Sequence, residues 1–189
     1  MRRRLVTLAL SALLAGLAGC AVPSVSPHPV LEHPDAPTTE TRLLTIEPES
    51  APDERQQLLS VLKLKDHSLT VVVATPTGQR LFTLKDDQNG ARFTQTLTDP
   101  PFPASWLASR LEWSLWPLDA LNTAWLGSDW SAVETPQDSG RVRRIQEGDE
   151  TVATIRYQND RLISNAPVTL EDHQTRHRIT IAPLSERSP

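Results

Sequence analysis

The chain has a single thiol, Cys20, and the residues before it decide what that thiol can do. Leu17, Ala18 and Gly19 precede it. The small side chains at 18 and 19 let a peptidase approach the backbone, and a thiol is the nucleophile that covalent lipidation needs. Other residues offer chemistry less specifically. His173 and His177 have the i, i+4 spacing that would bind a metal from one helix face, but Glu171, Asp172, Gln174, Thr175 and Arg176 around them read as a charged turn entering a strand. Asp86 with Asp87, and Glu171 with Asp172, have the makings of acid–base pairs, yet each lies beside turn residues and reads as solvated surface. Arg141, Arg143 and Arg144 form a basic run on an exposed strand, suited to lipid phosphates or an acidic partner. His28 and His33 read as solvated linker residues, and His67 as a connector. There is no Gly-x-Ser-x-Gly elbow, no phosphate-cradling glycine loop and no Cys/His zinc cluster. The expectation is no catalytic residue, no metal and no cofactor.

The elements that position Cys20 come first in the chain. Arg2, Arg3 and Arg4 precede an apolar stretch, 5–18, broken only by Thr7, Ser11 and Gly16. This is the secretory pattern. The stretch is shorter than the roughly 20 apolar residues that span a bilayer. Leu17-Ala18-Gly19-Cys20 then matches the lipobox, where bacteria attach diacylglycerol to cysteine before cleavage. Residues 1–19 are expected to be a cleaved signal, leaving Cys20 as the acylated first residue. Each buried CH₂ contributes roughly 0.8 kcal/mol, so several chains on one cysteine anchor it firmly. Ala21, rather than an Asp, points to sorting to the outer membrane, facing the periplasm. The implied partners are membrane lipid and the lipoprotein export and sorting machinery.

Removing the signal takes away three Arg and no acidic residue, so the formal charge moves from −4 to −7. Nucleic acid needs a basic footprint and is excluded as a partner. With one cysteine there is no internal disulfide. Stability must come from burial and hydrogen bonds.

Residues 20–41 read as the lipidated cysteine and a proline-rich tether, with Pro23, Pro27, Pro29, Pro34 and Pro37 and no hydrophobic periodicity. Residues 42–185 read as one β-rich domain, and 186–189 as a short tail. Strands are expected at 57–65, 68–75, 80–85 and 91–97, then at 141–146, 151–157, 162–170 and 178–182. Asn89-Gly90 is a strong hairpin signal. Between the two sets, near 103–126, leucines 107, 111, 115 and 118 recur at helical spacing amid four of the five tryptophans. Pro117 splits that segment into two helices.

Three stretches carry a resemblance: TPTGQRLFTL from Thr75, DQNGARF from Asp87, and LEWSLWPLDAL from Leu111. With the strands at 151–157 and 177–184, the chain over roughly 44–184 resembles a family of small uncharacterised bacterial lipoproteins. These are encoded in gene clusters for aryl polyenes, lipid-esterified conjugated pigments. The order of elements is also similar to the outer-membrane lipoprotein receptor LolB and its soluble partner LolA. The resemblance implies an α+β fold: a curved antiparallel sheet forming a half-open barrel, closed by two short helices around a cavity for acyl chains. One departure stands out. The protruding apolar loop that inserts lipoproteins is replaced by Lys85-Asp86-Asp87-Gln88-Asn89-Gly90, short and charged.

The expected cavity lining is Val71, Val73, Phe82, Leu84 and Phe93 from the sheet, with Trp106, Leu107, Leu111 and Trp116 from the helices. The function that follows is non-enzymatic: binding or shuttling a lipophilic molecule or acyl chain. The alternative is an assembly or scaffolding lipoprotein whose core is filled by its own side chains. A lipid-ester hydrolase comes third, lacking a nucleophile signature.

Overall fold

Ten strands run β1 (Thr38–Pro48), β2 (Gln56–Lys65), β3 (Ser68–Ala74), β4 (Arg80–Asp86), β5 (Arg92–Thr94), β6 (Trp130–Gln137), β7 (Gly140–Glu147), β8 (Glu150–Tyr157), β9 (Val168–Asp172) and β10 (His177–Pro183). Two helices, α1 (Ala104–Leu115) and α2 (Leu118–Ala124), separate β5 from β6. The computed structural model describes residues 23–28, 38–65, 68–158 and 166–184. Cys20, the signal segment, His33 and His67 lie outside the described residues.

The strands form one antiparallel sheet in the order β5-β4-β3-β2-β1-β10-β9-β8-β7-β6. From β1 the chain steps outward by hairpins to β5, crosses through the helices, and steps back from the other edge until β10 pairs with β1. Leu44 then faces Ile181, and Ile46 faces Ile179. The edge strands β5 and β6 do not pair with each other, so the sheet stays open. β1 starts at Thr38, inside the expected tether, and β6 begins at Trp130, ahead of the strand expected at 141.

Period-two burial builds the inner face. Leu69, Val71 and Val73 of β3 are buried while Val72 is half-buried on the other side. The Asn89-Gly90 hairpin is present, with Gly90 at φ 82° and its N–H donating to Asp87 O at 2.7 Å. Gly140 is tighter. It sits at φ 146°, and a Cβ there would stand 2.0 Å from Tyr157 O on β8. Gly140→Ala is therefore expected to cost roughly 1–3 kcal/mol in a urea melt, from strain and overpacking together. An unchanged midpoint would mean that β7 and β8 separate freely there.

Trp116 precedes Pro117 and is extended, at φ −82° and ψ 150°, which ends α1. Pro117 caps α2, and the chain leaves that helix through Gly127 at φ 80°. Every residue from Trp106 to Ser114 is buried. Nine consecutive residues cover all sides of a helix with 3.6 residues per turn. No single sheet face can do that. α1 touches β4 and β5 on one half of the sheet and β9 on the other, so the sheet curves around it. No described helix is long and apolar enough to cross a membrane.

Candidate functional site

The concave face carries charges at regular positions. On β4 the inward residues are Phe82, Leu84 and Asp86; on β9, Val168, Leu170 and Asp172; on β7, Arg141, Arg143 and Ile145. The expectation of solvated surface thus fails for Asp86, Asp172, Arg141 and Arg143, all buried. It fits their neighbours better. Asp87 pairs with Arg92 at the hairpin, which holds its carboxyl well below the usual range, and Glu171 meets half-exposed Arg156 at 2.6 Å.

Helix α1 answers these charges. Arg110 Nε donates to Asp172 Oδ2 at 2.7 Å, with both side chains fully buried. Its guanidinium lies between the rings of Trp106 and Trp113, 5.1 and 4.4 Å from their centroids. Trp106 Nε1 donates to the same carboxylate, and the backbone N–H groups of Gln174 and Thr175 donate to its other oxygen. Asp172 thereby ties α1 to the β9–β10 turn. Burial pushes its pKa up, but the Arg110 charge and these bonds prevail and leave it lowered. At the other end of α1, Arg143 donates to Trp113 O at 2.5 Å and Trp116 O at 2.8 Å, and Tyr157 OH donates to Ser114 O. These are carbonyls that a helix end leaves without partners. Glu134 completes the Arg143 pair at 2.6 Å.

A third device is a strap formed by residues 23–28. Ser24 Oγ donates to Glu147 Oε2 at 2.6 Å and accepts from Gln174 Nε2. Trp113 Nε1 donates to Ser26 Oγ, and Trp125 Nε1 to Pro27 O, both at 2.8 Å. His28 Nδ1 stands 2.7 Å from Glu112 Oε1 and 3.2 Å from Asp86 Oδ2. The strap crosses α1 from the β9–β10 turn to the end of β4. A free tether over 20–41 is corrected here: this part is docked, and His28 is a bound residue. The prolines keep it extended, which leaves its carbonyls and hydroxyls open to the tryptophan N–H groups.

Asp86 and Glu112 each show only 2% exposure. Burial pushes Glu112 up to about 8, with Asp86 adding to the rise and His28 opposing it. His28 is raised, chiefly by its contact with Glu112. Among the described residues this is the place where three His, Cys, Asp or Glu side chains bring ligand atoms within 4.8 Å of one another. Sequence reasoning passed over Glu112 because it lies between Leu111 and Trp113 in a helix read as apolar. His173 and His177 do not share a helix: one bonds Thr154 Oγ1, the other Thr175 O.

The expected cavity residues come together, but as packing. Val71, Val73, Phe82, Leu84, Trp106, Leu107, Leu111 and Trp116 are at most 5% exposed and belong to one core cluster, with half-buried Phe93 against it. Phe82 and Phe93 meet edge to face at 4.9 Å. Open space is present at the rim. A pocket of 370 Å³ is walled by Ile46, Pro48, Pro101, Phe102, Pro103, Trp106 and the strap's Pro23, with Glu54, Gln56, Thr175 and His177 at its polar edge. Trp106 alone of the nine lines it.

A family model described as protein of unknown function, DUF3261, matches residues 41–185. The chain belongs to this family. No curated protein matches it. The span shared with the DUF3261 family takes in both helices and nine whole strands, with β1 from Thr41 onward. It includes Asp86, Glu112, Arg110 and Asp172, whereas the strap and His28 lie before it.

Proposed function

We propose that this DUF3261 protein is a non-enzymatic lipoprotein of the outer membrane, anchored through Cys20 and facing the periplasm. It holds the apolar part of a lipophilic molecule or acyl chain in the rim pocket. The observation that carries this reading is the pocket itself: 370 Å³, with Ile46, Phe102, Trp106 and four prolines facing a short polar edge. Ligand sites typically measure roughly 300–1,000 Å³ and combine apolar walls with few polar groups. Its position supports the same reading. Pro23 is a wall residue three positions from Cys20, and three residues reach at most roughly 11 Å. The pocket would therefore open beside the bilayer, where lipophiles are concentrated. Each Å² of apolar surface removed from water contributes roughly 25 cal/mol to binding.

The open ten-stranded sheet with helices on its concave face supports a LolA/LolB-like layout. Here, though, α1 fills the concavity, so the ligand is placed at the rim. The short charged β4–β5 hairpin argues against lipoprotein insertion. An aryl polyene or its acyl precursor is the proposed ligand class, on the strength of the three sequence stretches from Thr75, Asp87 and Leu111. The packing of the expected cavity residues into one buried cluster favours a second reading, an assembly lipoprotein without ligand.

Two substitutions separate these readings. Gln56 is an exposed residue of the pocket edge, so Gln56→Trp should fill the space and weaken fluorescent fatty-acid binding by roughly tenfold without unfolding the core. Leu111→Trp should instead cost about 1–3 kcal/mol of stability by overpacking, leaving binding nearly unchanged in the folded fraction. Saturable binding that is indifferent to Gln56→Trp would remove the rim pocket from the account. No saturable binding by wild type would leave the assembly reading.

A further inference from the structure

We propose that His28, Asp86 and Glu112 form a binding site for a divalent transition-metal ion, zinc being the best match, which clamps the strap onto β4 and α1. The three ligands come from three elements remote in sequence and converge on one point. Asp86 and Glu112 are both 2% exposed, and the ion pairs of each run to the same group, His28 Nδ1. One ring nitrogen carries at most one proton, so it makes at most one well-aligned hydrogen bond to the pair. No hydrogen bond of acceptable angle reaches Glu112 Oε1, although His28 Nδ1 stands 2.7 Å away. Buried Glu112 Oε1, Asp86 and the His28 imidazole thus bring three possible ligand atoms to within 4.8 Å of one another. A divalent ion would displace any proton these groups hold and bind both carboxylates together with the imidazole.

The geometry suits a small ion. Zinc holds nitrogen and carboxylate oxygen at roughly 2.0–2.2 Å, which places neighbouring tetrahedral ligands about 3.4 Å apart. The Asp86–His28 separation of 3.2 Å is close to this, and the Glu112 contact at 2.7 Å would open by about 0.7 Å, within reach of a rotation of the partly exposed His28 ring. One imidazole with two carboxylates suits zinc or manganese; the site has no sulfur to favour copper(I). Three protein ligands leave a position for water, and the His28 side chain, 33% exposed, gives access. The consequence is mechanical. The strap is the stretch just after Cys20, so the ion would fix how the folded body hangs from its anchor. This inference stands apart from ligand binding at the rim pocket.

The test uses the full mature chain, stripped with a chelator and titrated with zinc chloride alone in a calorimeter. The expected result is saturable uptake of one ion per chain, a rise in melting temperature, and slower hydrogen exchange over residues 23–28. His28→Ala and Glu112→Gln should each weaken uptake roughly tenfold or more. If Glu112→Gln fails to fold, His28→Ala decides, since it alters a partly exposed strap residue. No one-to-one uptake of zinc or manganese by wild type overturns the site. So does uptake unchanged by His28→Ala, which would place the ion elsewhere. Uptake without slower exchange in the strap overturns the clamp.

Discussion

Asp172→Ala is expected to destabilise the protein by about 3–5 kcal/mol, the usual cost of leaving one member of a buried ion pair without its partner. For a chain of this size that lowers the melting temperature by on the order of 10 °C. The magnitude follows from what remains. Arg110 is fully buried between two tryptophans, and without Asp172 its positive charge has no ion-pair partner among the described residues. The N–H groups of Gln174 and Thr175 and the indole N–H of Trp106 lose their acceptor together. Asp172→Ala with Arg110→Met should recover much of the loss, because the charge and its partner leave together. The same pair sets an acid limit. Asp172 is lowered in the folded state, so its contribution is complete above its unfolded pKa and fades as pH falls through the folded value. The acid limb of the stability curve should flatten in Asp172→Asn. Wild-type stability in Asp172→Ala at neutral pH would show that Arg110 finds water or another anion.

Arg143→Met is expected to cost about 2–4 kcal/mol, measured by urea denaturation. Methionine keeps much of the apolar stem but donates nothing. Trp113 O and Trp116 O then lose a charged donor at the helix end where the dipole favours one. Glu134 keeps Arg141 at 3.1 Å and remains 20% exposed, so the loss should fall below that of Asp172→Ala. Faster hydrogen exchange should appear in the last turn of α1 and spare β2 and β3. Uniform loss across the sheet would show that the helix end is not where Arg143 acts.

Residues 103–126 explain why so much of this fold is legible in sequence. The leucine spacing, Pro117 and the Asn89-Gly90 turn are local signals, and helix, break and hairpin lie where they point. The charged interior is not local. Asp172 sits two residues beyond buried Leu170 and Asp86 two beyond buried Leu84, so alternation does mark both as inward. What argues against reading them so is the cost of burying a charge, unless a partner is known. Those partners are 62 residues away in Arg110, and on the strap in His28. The strap fails for a related reason. Proline content shows that 23–28 is extended, but its partners are the indole N–H groups of Trp113 and Trp125, about 90 residues on. Periodicity marks Val71, Val73, Leu107 and Leu111 as inward, and they share one buried cluster, but it cannot tell a lined cavity from a filled core.

The central claim, that the rim pocket carries a lipophile, is tested most directly by mass spectrometry. The protein is purified in its native state from its host cells, extracted with organic solvent, and compared with Gln56→Trp prepared identically. The account predicts a non-covalent lipophilic species near one molecule per chain in the wild-type extract, sharply depleted in the variant. Extracts with no such species, or with the same amount from both proteins, would contradict it.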